Sequence, residues 1–187
     1  IGTGIVGSDS ANVITNCHSG VAVTTLLFSS YANKIIGNSI YGNVEQGIDI
    51  HGDDLILPND TSNANLNNNG LIDHPLILDA WTCDDGNTNV GLETYMSAEN
   101  ISYTYTIELY SNVDIDPSLY GEGQTFLGQF VFNPNSAVDT FDVDLGVALP
   151  VGTVLTATIT GALGNTSEFS QQYAVTNAPV YNVPTTI

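Results

Sequence analysis

The chain has 187 residues, and its 20 acidic residues face a single basic one, Lys34, for a formal net charge of −19 at neutral pH. Nucleic acid is excluded as a partner, because binding to it depends on Lys and Arg side chains that neutralise phosphates. Anionic membrane surfaces are disfavoured by the same repulsion. This charge favours cations, neutral glycans or further copies of the chain as partners.

The composition is typical of an exported globular protein. Hydrophobic residues make up 42% of the chain, which is enough for a packed core. No apolar stretch approaches the roughly 20 residues of a membrane-spanning helix, so we predict no membrane insertion. The richness in Asn, Thr, Ser and Gly with almost no Lys is typical of exported surface proteins, and it predicts an extracellular or cell-surface location. Because the chain lacks an initiator Met, we expect it to be a processed product or a fragment.

The cysteines and histidines give no metal or disulfide pattern. Cys17 and Cys83 are too few for a disulfide framework. They fit either one bridge in an exported protein or two small buried hydrophobic residues, and both alternatives stay open. The three histidines are far apart in sequence, so zinc is not predicted.

Residues 1–57 have the pattern of coils in a parallel β-helix, and no segment of the chain holds a helical period. Asn12 aligns with Asn33 and Gly20 with Gly47, a solenoid-type spacing of short strands closed by Asn and Gly turns. Because two coils alone are marginal, we expect either further coils before the first residue or another subunit that covers this end.

An Asn- and Asp-rich connecting loop is predicted over residues 58–79. Oxygen-bearing side chains at alternate positions, followed by a glycine and an acid, resemble the spacing of calcium-binding loops. Asn stands where Asp is usual, which weakens a Ca²⁺ site, and the alternative is a plain Asn/Gly turn loop. The predicted ligands are Asp60, Asn65, Asn67, Asn69 and Asp73.

Residues 80–172 alternate apolar and polar side chains between turn signals, which predicts an antiparallel, Ig-like β-sandwich of roughly seven strands. The clearest alternations lie at 103–109, 126–132, 141–145 and 155–160. The overall prediction is therefore an all-β fold, with a short parallel β-helix segment followed by the sandwich.

The tail at residues 173–187 has strand-like composition but contains Pro179 and Pro184, which confine it to a sheet edge or an extended arm. It fits either a last strand with a loose end or a donor strand that adds to the sheet of a neighbouring subunit.

One cluster invites a catalytic interpretation, because parallel β-helices often carry polysaccharide-cleaving sites. Strand alternation places Asp49 and His51 on one outward face, close in sequence to Asp53 and Asp54. A pair of carboxyl groups can hydrolyse a glycosidic bond. No Lys or Arg is nearby for lyase chemistry, so we favour a coil motif with a solvated Asp49 and predict that the protein is not an enzyme.

Two further groups have binding interpretations. A second predicted Ca²⁺ site comprises Asp114, Asp116 and Glu122, with Asp84 and Asp85 as another acidic pair. The aromatic residues could form a sugar-stacking platform, but alternation favours core packing for most of them. They are Trp81, Tyr95, Tyr103, Tyr105, Tyr110 and Tyr120.

Several segments together resemble the C-terminal part of large exported bacterial and archaeal surface proteins built from right-handed parallel β-helix repeats. The specific segments are Gly-Glu-Gly at 121–123 and Asn-Thr-Ser-Glu-Phe-Ser at 165–170; more generic ones lie at 33–43, 47–50 and 105–110. The resemblance covers about residues 12–172 and implies terminal coils that run into a β-sandwich, on the cell exterior. It implies little about function.

The sequence therefore predicts an extracellular structural protein, a self-assembling subunit of a surface layer or filament joined through strand edges. The alternative is an adhesin-type module that binds neutral glycans or protein. A glycan-active enzyme fragment is the third interpretation.

Overall fold

The computed structural model describes residues 11–24, 30–59, 68–83, 86–97 and 101–179. This part of the chain is all-β, which confirms the predicted class, and its one helical element is a short 3₁₀ turn at Asn68–Leu71. No helix of the described residues is long and apolar enough to cross a membrane.

Twelve strands follow one another in the described residues. Four two-residue strands come first: β1 (Val13–Ile14), β2 (Val21–Ala22), β3 (Ser39–Ile40) and β4 (Ile48–Asp49). Six long strands follow: β5 (Leu76–Thr82), β6 (Thr88–Tyr95), β7 (Tyr105–Asn112), β8 (Thr125–Phe132), β9 (Val138–Asp144) and β10 (Val154–Thr160). Two short strands come last: β11 (Tyr173–Ala174) and β12 (Thr176–Asn177).

The first four strands form the N-terminal layer, which we define as residues 11–24 and 30–57. β1 pairs with β3 and β2 pairs with β4, both in parallel, so the second stretch of chain lies beside the first in the same direction. The Asn12 side chain donates a hydrogen bond to Asn38 Oδ1 at 2.9 Å, 26 residues along the chain. The predicted alignment of Asn12 with Asn33 is therefore wrong, because β1 pairs with β3 at an offset of 26 residues, Val13 with Ser39.

Strands β5 to β12 form the two-sheet body. Sheet I has the order β11-β10-β7-β8 and sheet II has the order β12-β5-β6-β9. Alternate residues of the two sheets meet in one hydrophobic cluster, to which sheet I contributes Ile107, Leu109 and Leu155, and sheet II contributes Val90 and Leu92. Burial of these side chains stabilises the body through the hydrophobic effect.

The N-terminal layer covers the other face of sheet I. Tyr110, which alternates with the core residues of β7, packs with Ile40, Ile48, Ile50 and Phe169 in a second hydrophobic cluster. Its ring meets the Phe169 ring edge-on, with centroids 5.5 Å apart. All seven residues of β10 are buried, because both faces of this strand are covered.

The strands predicted in the body are confirmed as β7, β8, β9 and β10, but the predicted boundary at residue 80 is wrong. β5 begins at Leu76, inside the predicted 58–79 loop. A β-bulge between Ile77 and Asp79 interrupts its alternation, so Ile77 and Ala80 are both buried three positions apart. A simple two-residue period could not identify this strand.

The tail begins as part of the body. β11 pairs with β10 of sheet I and β12 pairs with β5 of sheet II, so the chain crosses between the sheets at Val175, which is buried in the core. The predicted tail at 173–187 is thus integrated into its own body up to Asn177, while 180–187 lie outside the described residues.

Candidate functional site

Three buried glutamates lie at the junction between the N-terminal layer and the two-sheet body. Glu108 is on β7, Glu122 is in the loop before β8, and Glu168 follows β10. Each carboxylate accepts a hydrogen bond from a backbone N–H of the N-terminal layer. Buried carboxyl groups need such partners, since an unpaired buried charge is costly.

Glu168 holds two separate segments of the layer. Its Oε1 accepts from Ile50 N at 3.1 Å and its Oε2 accepts from Leu57 N at 2.9 Å. Burial raises the pKa of Glu168 to about 7, and the nearby Asp49 and Asp53 carboxylates also raise it, against the lowering effect of the two N–H donors. The Glu168 carboxyl group therefore changes between its protonated and ionised forms near neutral pH.

Glu108 is almost completely buried at the centre of the junction. Its Oε2 accepts from Gly37 N at 3.0 Å and from the Tyr110 hydroxyl at 2.6 Å. Burial raises the pKa of Glu108, while the Tyr110 hydroxyl, the Gly37 N–H and the charge of Lys34 lower it. The positive charge of Lys34 therefore favours the ionised form of Glu108 at this junction.

Glu122 binds the turn after β3. Its Oε1 accepts from Asn43 Nδ2 at 2.6 Å, and Asn43 N lies 3.2 Å from the same oxygen. Burial raises the pKa of Glu122, opposed by the donors of Asn43 and Gly42, and the Asp116 charge raises it further. The Asn43 side-chain Oδ1 in turn accepts a hydrogen bond from Cys17 N at 3.0 Å, so the contact extends across both stretches of the layer.

The Gly-Glu-Gly segment around Glu122 permits this close approach. Gly123 exchanges two backbone hydrogen bonds with Ile40, at 2.8 and 2.7 Å. A Cβ at Gly123 would lie 2.6 Å from the Phe169 ring, and a Cβ at Gly121 would lie 2.3 Å from the Thr156 methyl group. Both glycines are needed because larger residues would push the loop away from the sheet and the layer.

A pocket of about 360 Å³ opens beside Glu122. The turn after β3 and the loops before and after Glu122 line it, and it contains all three acids of the second predicted Ca²⁺ site, Asp114, Asp116 and Glu122. Val113 and Ile115 also line it, and they are 78% and 65% exposed. The pocket thus combines apolar side chains with carboxylate acceptors.

Most polar groups of the pocket already support its walls. Asp116 Oδ1 accepts from Ser118 N at 2.8 Å and Ser118 Oγ at 2.6 Å. The Gln172 side chain binds both backbone groups of Asp116: its Oε1 accepts from Asp116 N at 3.0 Å, and its Nε2 donates to Asp116 O at 2.7 Å. Asp114, by contrast, is exposed at the pocket. Within the described residues, no group of three or more His, Cys, Asp and Glu side chains is arranged to hold a metal ion, and calcium here stays a prediction.

Of the first predicted Ca²⁺ site, Asp60, Asn65 and Asn67 lie outside the described residues. Asn69 is fully buried and joins the layer to the body: its Oδ1 accepts from Asn33 N at 2.8 Å, and its Nδ2 donates to Thr166 O at 2.6 Å and to Asn33 O at 3.0 Å. Asp73 is also buried. The contacts of Asn69 give it a structural role that the sequence spacing did not indicate. Asp84 and Asp85 lie outside the described residues.

The interpretation of Asp49 as a solvated residue on an outward face is wrong. Asp49 is 1% exposed, and its carboxylate accepts from the backbone N–H groups of His51, Gly52 and Asp54 at 3.0, 2.6 and 3.2 Å. The side chain turns back to organise the loop that follows β4, a local bond typical of Asp. His51 is half-buried, with Nδ1 4.0 Å from Asp53 Oδ2.

The aromatic and cysteine predictions have mixed outcomes. Tyr105 and Tyr110 are buried in the two hydrophobic clusters, as core packing predicts, whereas Tyr103 is 45% exposed. Cys17 and Cys83 are free thiols, and Cys17 is exposed, so neither the disulfide nor the pair of buried hydrophobes is correct.

The two long edge strands differ in charge. β8 is the end strand of sheet I and carries no charged residue over eight positions. β9 is the end strand of sheet II and carries Asp139, Asp142 and Asp144. Charged side chains protect an edge from pairing with other chains, so β9 is protected in this way and β8 is not.

No protein-family model matches the chain. Among solved structures, the chain is similar to the sensor domain of the anti-sigma factor RsgI4 from Pseudobacteroides cellulosolvens, with 7% sequence identity and a TM-score of 0.31, over 56% of this chain and 94% of that one. A TM-score this low supports no inference about fold or function. The resemblance to β-helix-repeat surface proteins stays a prediction.

Proposed function

We propose that this chain is an extracellular structural protein, a subunit of a surface layer or filament that assembles through its strand edges. The observation that carries the proposal is the uncharged edge of β8 in a chain with a net charge of −19. A long edge strand without charges invites pairing with another chain. Elsewhere the negative surface opposes nonspecific contact between copies, so assembly is directed to this edge.

The architecture we propose for this role has two units. The N-terminal layer represents the last coils of a parallel β-helix, supported by the parallel pairs β1 with β3 and β2 with β4. The body is an Ig-like β-sandwich, supported by the hydrophobic cluster that both sheets share. Such a rigid, all-β subunit suits a load-bearing role outside the cell.

Negative-stain electron microscopy of the purified protein tests the proposal, with sedimentation velocity over a hundredfold range of concentration. We expect regular filaments or sheets that grow with concentration. A parallel sample with a calcium chelator tests the proposed Ca²⁺: loss of order on chelation, and its return with added Ca²⁺, would place the ion at subunit contacts. Single particles at every concentration would contradict the structural role.

A second candidate function is an adhesin-type module for neutral glycans, favoured by the pocket beside Glu122. A sugar ring presents apolar faces, which match Val113 and Ile115, and hydroxyl donors, which match the exposed Asp114 carboxylate. The carboxylates of the pocket disfavour anionic sugars by repulsion.

A glycan array, followed by titration of any neutral sugar that binds, tests this candidate. Asp114→Asn should weaken binding, because it removes the acceptor charge from the pocket. Asp142→Asn is the matched control, since Asp142 is an exposed residue of β9 that does not line the pocket. An equal effect of both changes, or no binding by the unmodified protein, would reject the glycan site.

A further inference from the structure

We infer that β8 is the acceptor for residues 180–187 of a second copy of this chain, which add to sheet I as a new edge strand. This inference rests on the proposed function and specifies it, because it names the two surfaces that join. The contact between subunits is then directional, because the tail of one copy meets β8 of the next.

The acceptor edge is long, uncharged and partly exposed. β8 pairs with β7 along its length, and within the described residues it has a strand on that side only. An edge strand directs its remaining backbone N–H and C=O groups outward, where they are available to an added strand. Val131, near the end of β8, is 65% exposed.

The other edges of the described residues are less suitable. β9 carries three Asp residues, which would repel a second acidic chain. The short edge strands β1, β2, β3, β4, β11 and β12 are each two residues long, and very short edge strands offer few hydrogen bonds. By length and charge together, β8 is the edge best suited to accept a strand.

The donor segment matches this edge in its lack of charge. Residues 180–187, Val-Tyr-Asn-Val-Pro-Thr-Thr-Ile, lie outside the described residues. They contain no charged side chain, and no residue after Glu168 carries one. Pro184 is acceptable in a strand that becomes the outer edge, because its missing N–H can face solvent.

The position of the tail favours pairing between copies over pairing within one. The described chain leaves the body beside β12, and β11 and β12 lie at the opposite end of the sheets from β8 and β9. The two edges are three strand spacings apart, about 14 Å, and β12 and β8 belong to different sheets that pack about 10 Å apart. A tail that turned back onto β8 of its own copy would therefore use at least about four residues before it reached that strand.

This separation of donor and acceptor produces a head-to-tail contact. The tail of one copy meets a different surface on the next, so each added subunit exposes a new acceptor edge. Such a heterologous contact closes into a ring or continues as an open filament. The filament is the outcome that the proposed function requires.

The test uses the full chain with one substitution on each long edge. Val131→Asp places a charge on the β8 edge, and Val138→Asp makes the same change on the β9 edge; both valines are exposed. We expect Val131→Asp to raise the concentration needed for half-maximal assembly by at least about tenfold, and Val138→Asp to change it less than about twofold. Thermal midpoints show whether each variant is folded.

A second measurement does not depend on assembly. A synthetic peptide of residues 178–187 is added in excess to dilute full-length protein, and amide hydrogen exchange is followed by mass spectrometry. We expect slower exchange in peptides that cover β8 and no change in those that cover β9. A peptide with Val180 and Val183 both replaced by Asp is the control, and it should give no protection.

The outcomes separate this inference from the proposed function. Assembly that survives Val131→Asp, with no peptide protection of β8, would overturn the inference and leave the structural role standing. Protection of β8 without any assembly of the unmodified protein would support strand addition but contradict the structural role. Neither assembly nor protection would reject both, and equal effects of the two substitutions would overturn β8 as the acceptor.

Discussion

The two-sheet body and the N-terminal layer are stabilised in different ways. The body has strands of seven or eight residues and a continuous apolar core between two sheets. The layer has strands of two residues, and it relies on asparagine side-chain hydrogen bonds between its two stretches and on carboxylates that reach into it from the body. Short strands with few cross-strand contacts are marginal alone, so the layer depends on the body for its order. The body should therefore determine global stability, and the junction should determine whether the layer stays in place.

The largest expected effect comes from the core of the body. Leu155→Ala removes a fully buried side chain of β10 from the shared cluster and should lower the free energy of unfolding by about 3 kcal/mol. Urea unfolding measured by fluorescence and circular dichroism checks this. Because the layer depends on the body, the fluorescence transition and the circular dichroism transition should both move to a lower urea concentration by the same amount. Loss of the body with an unchanged layer would contradict the dependence.

The next effect concerns pH, since burial raises the pKa of Glu168 to about 7 from the 4.5 that is usual for a glutamate. The folded state then holds this proton more tightly than the unfolded chain. The contribution to stability is complete below about pH 4.5 and is lost as the pH rises through about 7. The full contribution is on the order of 3 kcal/mol. The raised pKa values of Glu108 and Glu122 act in the same direction.

Urea titrations between pH 4.5 and pH 8 measure this dependence, and hydrogen exchange of the β4 region shows whether the layer loosens first. Glu168→Gln is the matched variant, since it cannot ionise. It loses one acceptor for Ile50 or Leu57, which lowers its stability near pH 5, but the slope of stability against pH should become markedly smaller. An unchanged slope in this variant would show that Glu168 is not the titrating group.

A third effect tests the uncharged contacts of the same junction. Asn69→Ala leaves Asn33 and Thr166 without their buried partners and places Ala at a positive φ of 51°. We expect a loss of about 2–3 kcal/mol, since buried unpaired groups and left-handed backbone both cost free energy. Thermal unfolding provides the measurement. Asn69→Gly tolerates the φ value, so it should lose less, and equal losses would exclude backbone strain as a contribution.

The smallest effect lies within the layer, away from the junction. His18 Nε2 lies 3.0 Å from Asp54 Oδ2, but the side chains are 67% and 37% exposed. Exposed ion pairs contribute little, so His18→Ala should change the free energy of unfolding by less than about 0.5 kcal/mol. Denaturant midpoints at pH 5 and pH 8 check this. A loss of more than about 1 kcal/mol would mean that the layer has stability of its own, contrary to the comparison.

The sequence predicted the body better than the layer. Alternation over 103–109 and 155–160 identified β7 and β10, because long strands of a two-layer core repeat a clear two-residue pattern. The predicted start of the sandwich at residue 80 lies four residues after the true start of β5 at Leu76, because a bulge breaks the alternation of this strand. In the layer, the alignment of Asn12 with Asn33 was wrong, since the pairing of β1 with β3 places Asn12 beside Asn38.

The candidate site was predicted only in part. Asp114, Asp116 and Glu122 were grouped from their proximity in sequence, and they do line one pocket. Glu108 and Glu168 were not selected, because nothing in a strand pattern distinguishes a buried glutamate from one in solvent. The Gly-Glu-Gly and Asn-Thr-Ser-Glu-Phe-Ser segments were the available signals, since each contains a junction glutamate.

The sequence by itself determined the all-β class, the long strands of the body and the strong negative charge, from which we predict that nucleic acid is not a partner. These properties depend on composition and on local periodicity, which each segment carries alone. Only the tertiary structure decided that Asp49 is buried, that three glutamates receive backbone N–H groups from the layer, and that β8 is the uncharged outer strand of its sheet. Burial, hydrogen-bond partners and edge position depend on segments distant in the chain, so they become defined only when those segments pack together.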